Sequence, residues 1–393
     1  MENFSWVSKN HSFFDIGKNG TVIKWSKKPY KDYQKMAKIY FQCAYEVCEE
    51  IINNPDDNVK CDTWFFPAMY MFRQSLELMI KAMICKDVPK KRNAEDIFER
   101  EKHNLSSLFS EYKLRAKETL ITSEEFLWLE RYLHNLEIVD ENSSLFRYPF
   151  VDDFWMIYEN NFLDIVDMGN AFLMAYVIIE KCDTGVENKE IIEINTNEPT
   201  DFLRFANTGY GNCYLWKSNR RDDFYSHVTG YSRVAKFVYE KYCVDSDDMR
   251  VYPIAFLMRN AIELGLKRLL YSRTRVNVVE YKIKGIKNSH LLYKDLWKNI
   301  KQMLMHYAKD TGEDLDTLEA FEENVRELSR IDKNGDLFRY PCTYSFEYKL
   351  DEETVDLENV YNWMQGMYNL LDGCDSMLDN IADYEFEAMQ YWD

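Results

Sequence analysis

Arg73, Glu77 and Lys81 stand four residues apart in a run, Trp64–Cys85, whose other positions are almost all apolar. That spacing puts the three charges on one stripe of a helix that is buried on most sides. Charges in such a place need partners. The same set returns 186 residues later as Arg259, Glu263 and Lys267, in a run that again opens on an aromatic residue and Pro: Phe66-Pro67 first, then Tyr252-Pro253. Each stripe is followed by a His with Leu two residues on, His103 with Leu105 and His290 with Leu292. Then comes Asp140-x-Asn142-x-x-Leu145-Phe146-Arg147-Tyr148-Pro149, repeated 192 residues later as Asp332-x-Asn334-x-x-Leu337-Phe338-Arg339-Tyr340-Pro341. Each half therefore offers two Arg, one Lys, one His and two carboxylates.

Two kinds of chemistry fit this set. In the first, Glu77 neutralises Arg147, Asp140 receives Arg73 or Lys81, and the network pins the Phe-Arg-Tyr-Pro turn to the helix, with His290, Asp332 and Arg339 serving Arg259, Glu263 and Lys267 in the same way. In the second, the cations and the His of each half form an anion pocket for a phosphate of RNA or of a nucleotide. Basic intervals after each charged helix, Lys86 with Lys90, Lys91 and Arg92, and the stretch from Arg268 to Lys287, are read as solvated loops or as phosphate contacts. The chain carries no Gly-rich phosphate loop, His-Glu-x-x-His, paired Cys motif or Ser-centred elbow, which argues against an NTPase, a zinc hydrolase and an α/β-hydrolase. No metal site and no cofactor are expected.

The elements that position these residues read as two copies of one helical unit. Each copy opens on a short β-like stretch, Gly20–Trp25 or Gly211–Trp216, followed by a helix near 30–53 or 222–243 and then the charged helix. Helices at about 103–118 and 290–308 carry the His. Those at 122–138 and 313–330 lead into the turn, where Pro drives the preceding Tyr out of helical geometry. A last helix closes each unit, at 156–181 and 353–380. Residues 1–183 and 201–393 are thus two domains, joined by a polar linker at 184–200 with a brief strand-like Ile191–Ile194.

With 393 residues and 46% apolar content the chain can build two cores, and with Gly 13 and Pro 8 it is neither fibrous nor of low complexity. Its longest apolar runs, Trp64–Phe72 and Ala171–Ile179, fall far short of the roughly 20 residues that cross a bilayer. No secretion signal is read at the start, and an odd nine Cys without a Cys-x-x-Cys pair fit reduced thiols in the cytoplasm. A formal charge of −18 opposes non-specific attachment to nucleic acid or anionic lipid, so any such contact is local. The tail from Asp372 to Asp393 is acidic and reads as solvated or facing a protein partner.

Arg-x3-Glu-x3-Lys on a helix, a His-x-Leu helix start, and Asp…Phe-Arg-Tyr-Pro before a closing helix together resemble the HEPN-like helical bundles common in bacterial and archaeal conflict systems. The resemblance covers most of both copies. It implies an all-α protein of two tandem bundles packed as a pseudo-dimer, working in antiviral defence or as a toxin on RNA or a nucleotide. Such bundles often act as metal-independent ribonucleases through an Arg four to six residues before a His, the His moving the 2′-hydroxyl proton and the Arg holding the phosphate. This chain departs from that pattern. Asp152, Asp153 and Phe154 follow Arg147 at the required positions, and Tyr344, Ser345 and Phe346 follow Arg339. Arg221 and His227 do have the spacing, although so short a pattern arises easily by chance. The resemblance therefore leaves two expectations: a ribonuclease using Arg221 and His227, or a non-catalytic sensor or interaction scaffold.

Overall fold

The computed structural model describes residues 5–17, 19–88, 91–149, 157–185, 190–215, 224–243, 248–270, 289–311 and 315–390. Helix accounts for 66% of the protein and strand for 4%, so the expected all-α class holds. The chain divides into two compact units that are not sequential. One, here the N-unit, gathers Ile23–Ser218 with Arg339–Glu353; the other, the C-unit, gathers Met1–Val22, Asn219–Phe338 and Thr354–Asp393.

In the N-unit, α1 (Pro29–Ile52) and α2 (Asn58–Asp87) form a hairpin. Asp57 caps α2 by accepting the Lys60 amide at 2.9 Å, which satisfies one of the donors a helix start leaves open. From Cys61 to Ile84 every residue of α2 is buried, so this helix is the axis of the unit. Pro67 sits inside it, where a missing donor is a local cost. Against the axis pack α3 (Lys91–Glu101) and α4 (Leu105–Lys113); the short α5 (Glu118–Ile121) packs on α6 (Glu124–Asp140), which packs on α4 and on α7 (Ile165–Thr184), itself against the axis. Aromatic pairs hold the layers: Phe41 stacks on Tyr176 with ring centroids 3.7 Å apart, and Phe72 on Phe172 at 5.6 Å.

Three two-residue strands form a small antiparallel sheet in this unit, with β2 (Phe162–Leu163) between β3 (Phe205–Ala206) and β4 (Cys213–Tyr214). Here the structure corrects the expected helix at 156–181. Asn160 is left-handed, Phe162 and Leu163 are claimed by the sheet, and Asp164 caps α7 through the Asp167 amide, so the helix starts at Ile165. The strand expected at Ile191–Ile194 does not form, since nothing pairs with it. The chain there is held to α6 instead, by Trp128 Nε1 on the Glu198 carbonyl and Asn135 Nδ2 on the Thr200 carbonyl, both at 2.8 Å. The interval read as a basic loop becomes α3 from Lys91 onward, with Ala94, Ile97 and Phe98 turned to the core. The matching interval after Lys267 lies mostly outside the described residues.

In the C-unit, α8 (Tyr225–Tyr242) and α9 (Val251–Arg268) pair, and α12 (Leu357–Gln390) packs on α9. A π-helical turn, Leu292–Trp297, leads into α10 (Lys298–Thr311), and α11 (Asp316–Ile331) follows. The N-terminal stretch lies along α12: Asn369 Nδ2 donates to the Ser5 carbonyl, and Trp363 Nε1 to the His11 carbonyl. Gly366 allows that approach, because a Cβ there would lie 2.8 Å from the Trp6 backbone. Strands β1 (Thr21–Val22) and β5 (Thr354–Val355) pair antiparallel. The closing helix, expected from residue 353, begins only at Leu357, after Asp356 has accepted the Glu358 and Asn359 amides.

Candidate functional site

Glu77 is the centre of the N-unit cluster. Its Oε2 accepts from Arg73 Nη1 at 2.9 Å, and its Oε1 accepts from Lys81 Nζ at 2.8 Å and from the Tyr340 hydroxyl at 2.6 Å. His103 Nδ1 lies 3.0 Å from the same Oε1. Arg73 in turn places its Nε 2.7 Å from Asp140 Oδ2 and donates through Nη2 to the His103 carbonyl at 2.7 Å. Helix geometry explains the spacing: Arg, Glu and Lys one turn apart face one another directly. The Asp motif has a structural explanation too. Asp140 Oδ1 accepts the Ser144 and Leu145 amides at 2.7 and 2.8 Å, closing the turn that ends α6.

Burial and charge set the protonation states. Burial alone would raise the Glu77 carboxyl, but Lys81, His103 and Arg73 outweigh it and hold the group well below the usual carboxylate range. Burial lowers Lys81. It also lowers His103 to about 4, with Arg339 and Lys81 acting in the same direction and Glu77 against them. The imidazole is therefore neutral at pH 7. An ionised Glu77 can only accept, so the Nδ1 contact assigns the proton to Nδ1, and Nε2 keeps its lone pair. The His103 side chain is 22% exposed, and Nε2 has no partner among the described residues. The buried carboxylate thus fixes the tautomer and leaves an acceptor at the edge of the network.

The C-unit builds the same arrangement. Glu263 is the centre: Arg259 Nη1 pairs with its Oε2, Lys267 Nζ reaches its Oε1 at 2.7 Å and His290 Nδ1 at 2.9 Å. Arg259 also donates to the His290 carbonyl at 2.8 Å and places its Nε 3.3 Å from Asp332. Asp332 Oδ1 accepts the Asp336 and Leu337 amides. Burial would raise Glu263, but Lys267 and Arg259 outweigh it and hold the group well below the ordinary range, while burial raises Asp332.

The sequence thus brought Arg73, Glu77, Lys81, His103 and Asp140 together correctly, and likewise Arg259, Glu263, Lys267, His290 and Asp332. Arg147 is not a hydrogen-bond or ion-pair partner of Glu77. Its Nε donates to the Ser143 carbonyl at 2.7 Å, and its guanidinium stands 5.9 Å from the Tyr70 ring and 5.0 Å from Tyr148. Arg339 does not pair with Glu263; it belongs to the N-unit, buried, 6.0 Å from the Tyr70 ring. Tyr340 is the residue that sequence reasoning missed. Its hydroxyl joins Glu77 and lies 2.9 Å from His103 Nδ1. Arg221 lies outside the described residues. His227 is buried on α8, and burial lowers it to about 3.

All nine Cys are free thiols, and no group of metal-binding side chains occurs among the described residues. No helix among them is long and apolar enough to cross a membrane. Compared with known proteins, the chain matches no family model, no curated protein and no solved structure.

Proposed function

We propose that this chain is a HEPN-derived sensor of RNA or a nucleotide in a prokaryotic defence or toxin system, working in the cytoplasm, its two tandem helical repeats forming a pseudo-dimer. The observation that carries the reading is the His103 imidazole: neutral, its tautomer fixed by a buried carboxylate, its Nε2 open. An acceptor of this kind suits a ligand that offers a donor, such as a ribose 2′-hydroxyl. Recognition is favoured over cleavage, because a general base works best with a pKa near the operating pH and His103 is far below it.

The test is fluorescence anisotropy of a labelled single-stranded RNA and of its DNA counterpart, run beside a metal-free cleavage assay on the same RNA. Wild type should prefer RNA. His103→Phe should weaken RNA binding by about tenfold, while His103→Gln, which keeps a polar side chain, should lose less. Equal RNA binding by wild type and His103→Phe would refute the site assignment. Cleavage abolished by Arg221→Ala or His227→Ala would replace the sensor with a ribonuclease. The other reading is an interaction scaffold, favoured by the closure of Arg73, Glu77 and Lys81, whose side chains are at most 1% exposed. It takes over if wild type binds no RNA.

A further inference from the structure

A cleft of about 350 Å³ opens in the N-unit where α1 begins, away from the Glu77 carboxylate, and it falls within the size range of small-ligand sites. Lys27, Lys28 and Lys91 line it together with Tyr30, Phe346 and the Cys85 thiol. Lys27 is balanced by Asp351 at 2.7 Å. Lys28 and Lys91 have no carboxylate within ion-pair distance among the described residues. In a chain with 67 acidic against 49 basic residues, two unbalanced cations in one concave site mark it for an anion.

The aromatic residues add a second requirement. Phe346 sits at the tip of a tight turn, with the Thr343 amide on the Glu347 carbonyl and the Phe346 amide on the Thr343 carbonyl. Its φ is 61°, a left-handed conformation that a bulky aromatic residue rarely adopts. Lys27 is left-handed as well, with φ 58°. Both residues line the cleft. Lys91 Nζ stands 5.8 Å from the ring of Phe346, which is 9% exposed and packs near Phe98; the half-buried Tyr30 is the ring that a ligand can reach.

We infer that this cleft binds a mononucleotide: the phosphate between Lys28 and Lys91, the base against Tyr30, with Phe346 part of the apolar floor. Stacking on an aromatic face tolerates any base, and lysine serves phosphate as a point charge. The site shares no lining residue with the His103 network, so it stands or falls separately from the RNA reading above.

Isothermal titration of the full chain with AMP and GMP tests it, with adenosine, ribose 5-phosphate and inorganic phosphate as partial ligands. Both nucleotides should bind below about 1 mM, and each partial ligand should bind at least about tenfold more weakly than AMP. Lys28→Ala with Lys91→Ala should lose about tenfold for AMP and leave adenosine unchanged. These lysines are exposed, so the variant should melt like wild type. His103→Phe should leave AMP binding intact, which separates this cleft from the RNA site. The inference is overturned if AMP and GMP fail to bind at about 5 mM, if phosphate alone binds as well as AMP, or if the double lysine variant binds AMP like wild type.

Discussion

Replacing Glu77 with Gln tests whether the cluster is a closed electrostatic unit. The carboxylate takes four contacts between 2.6 and 3.0 Å, from Arg73, Lys81, His103 and Tyr340. The amide keeps one oxygen, so its NH2 must face either Arg73 or the Lys81 and Tyr340 donors. One side then sets donor against donor, and fully buried Lys81 loses its counter-ion. Breaking a buried pair in this way costs about 3–5 kcal/mol. For a unit of this size that is a fall in melting temperature of about 6–20 °C. Lys81→Met should cost a similar amount, because it strands Glu77. In the double variant the penalty should shrink. Lys81 Nζ lies 4.5 to 5.4 Å from the rings of Phe98, Tyr340 and Tyr344, surroundings that suit a thioether. A double-mutant cycle by urea denaturation should therefore give a coupling of about 2–3 kcal/mol. Two single substitutions that each cost under about 1 kcal/mol and simply add would refute the closed network.

Two further outcomes concern pH. Burial holds folded His103 at about 4 and His227 at about 3, below the ordinary 6.5, so the unfolded chain binds more protons between those values. Stability from these groups is complete above 6.5 and is lost as pH falls toward 4 and then 3; urea midpoints should drop over that range, and His227→Leu should flatten the slope. A slope unchanged by that substitution would remove His227 from the account. Glu137 has the opposite sign. Burial raises it from 4.5 to about 7, so the folded chain holds the extra proton and stability is lost as pH rises through that interval. Glu137→Gln should gain on wild type between pH 5 and pH 8, and a variant that instead loses ground would show the carboxyl to be ionised when folded.

The charged helix was legible because α2 is apolar at almost every other position, which leaves a stripe at period four no role except an internal one. The Arg73 to Asp140 contact was legible as well, since both charges recur together in the two copies. The remaining partner of Glu77 was not. Tyr340 and Tyr148 occupy equivalent places in the repeated motif, and nothing local says which phenol reaches Glu77; it is the one 263 residues away. Helix ends failed for a related reason. The Asn104 cap, which accepts the Ser107 amide, moves the start of α4 past His103, while the pairing of Phe162 and Leu163 delays α7. Caps and ladders are set by single side chains and by distant backbone, and hydrophobic period reports neither.

The recurrence of these motifs does not by itself point to chemistry, because the structure gives most of it a mechanical explanation. Arg73 ties the Asp140 carboxylate and the His103 carbonyl to α2; Glu77 neutralises Arg73 and Lys81; Asp140 closes the turn; and Arg259, Glu263, Lys267 and Asp332 do the same work in the C-unit. One position exceeds that explanation. Arg73 holds residue 103 by its backbone carbonyl, which any residue supplies, and Glu77 already has donors from Arg73, Lys81 and Tyr340. Glu77 therefore has no need of an imidazole, least of all one whose neutral form burial enforces. What the imidazole adds is the second nitrogen, oriented by the first and open at the edge of the cluster. In the C-unit, His290 Nδ1 meets Glu263 at 2.9 Å. On the function proposed above, His103, rather than the more numerous charges beside it, is where the ligand is to be sought.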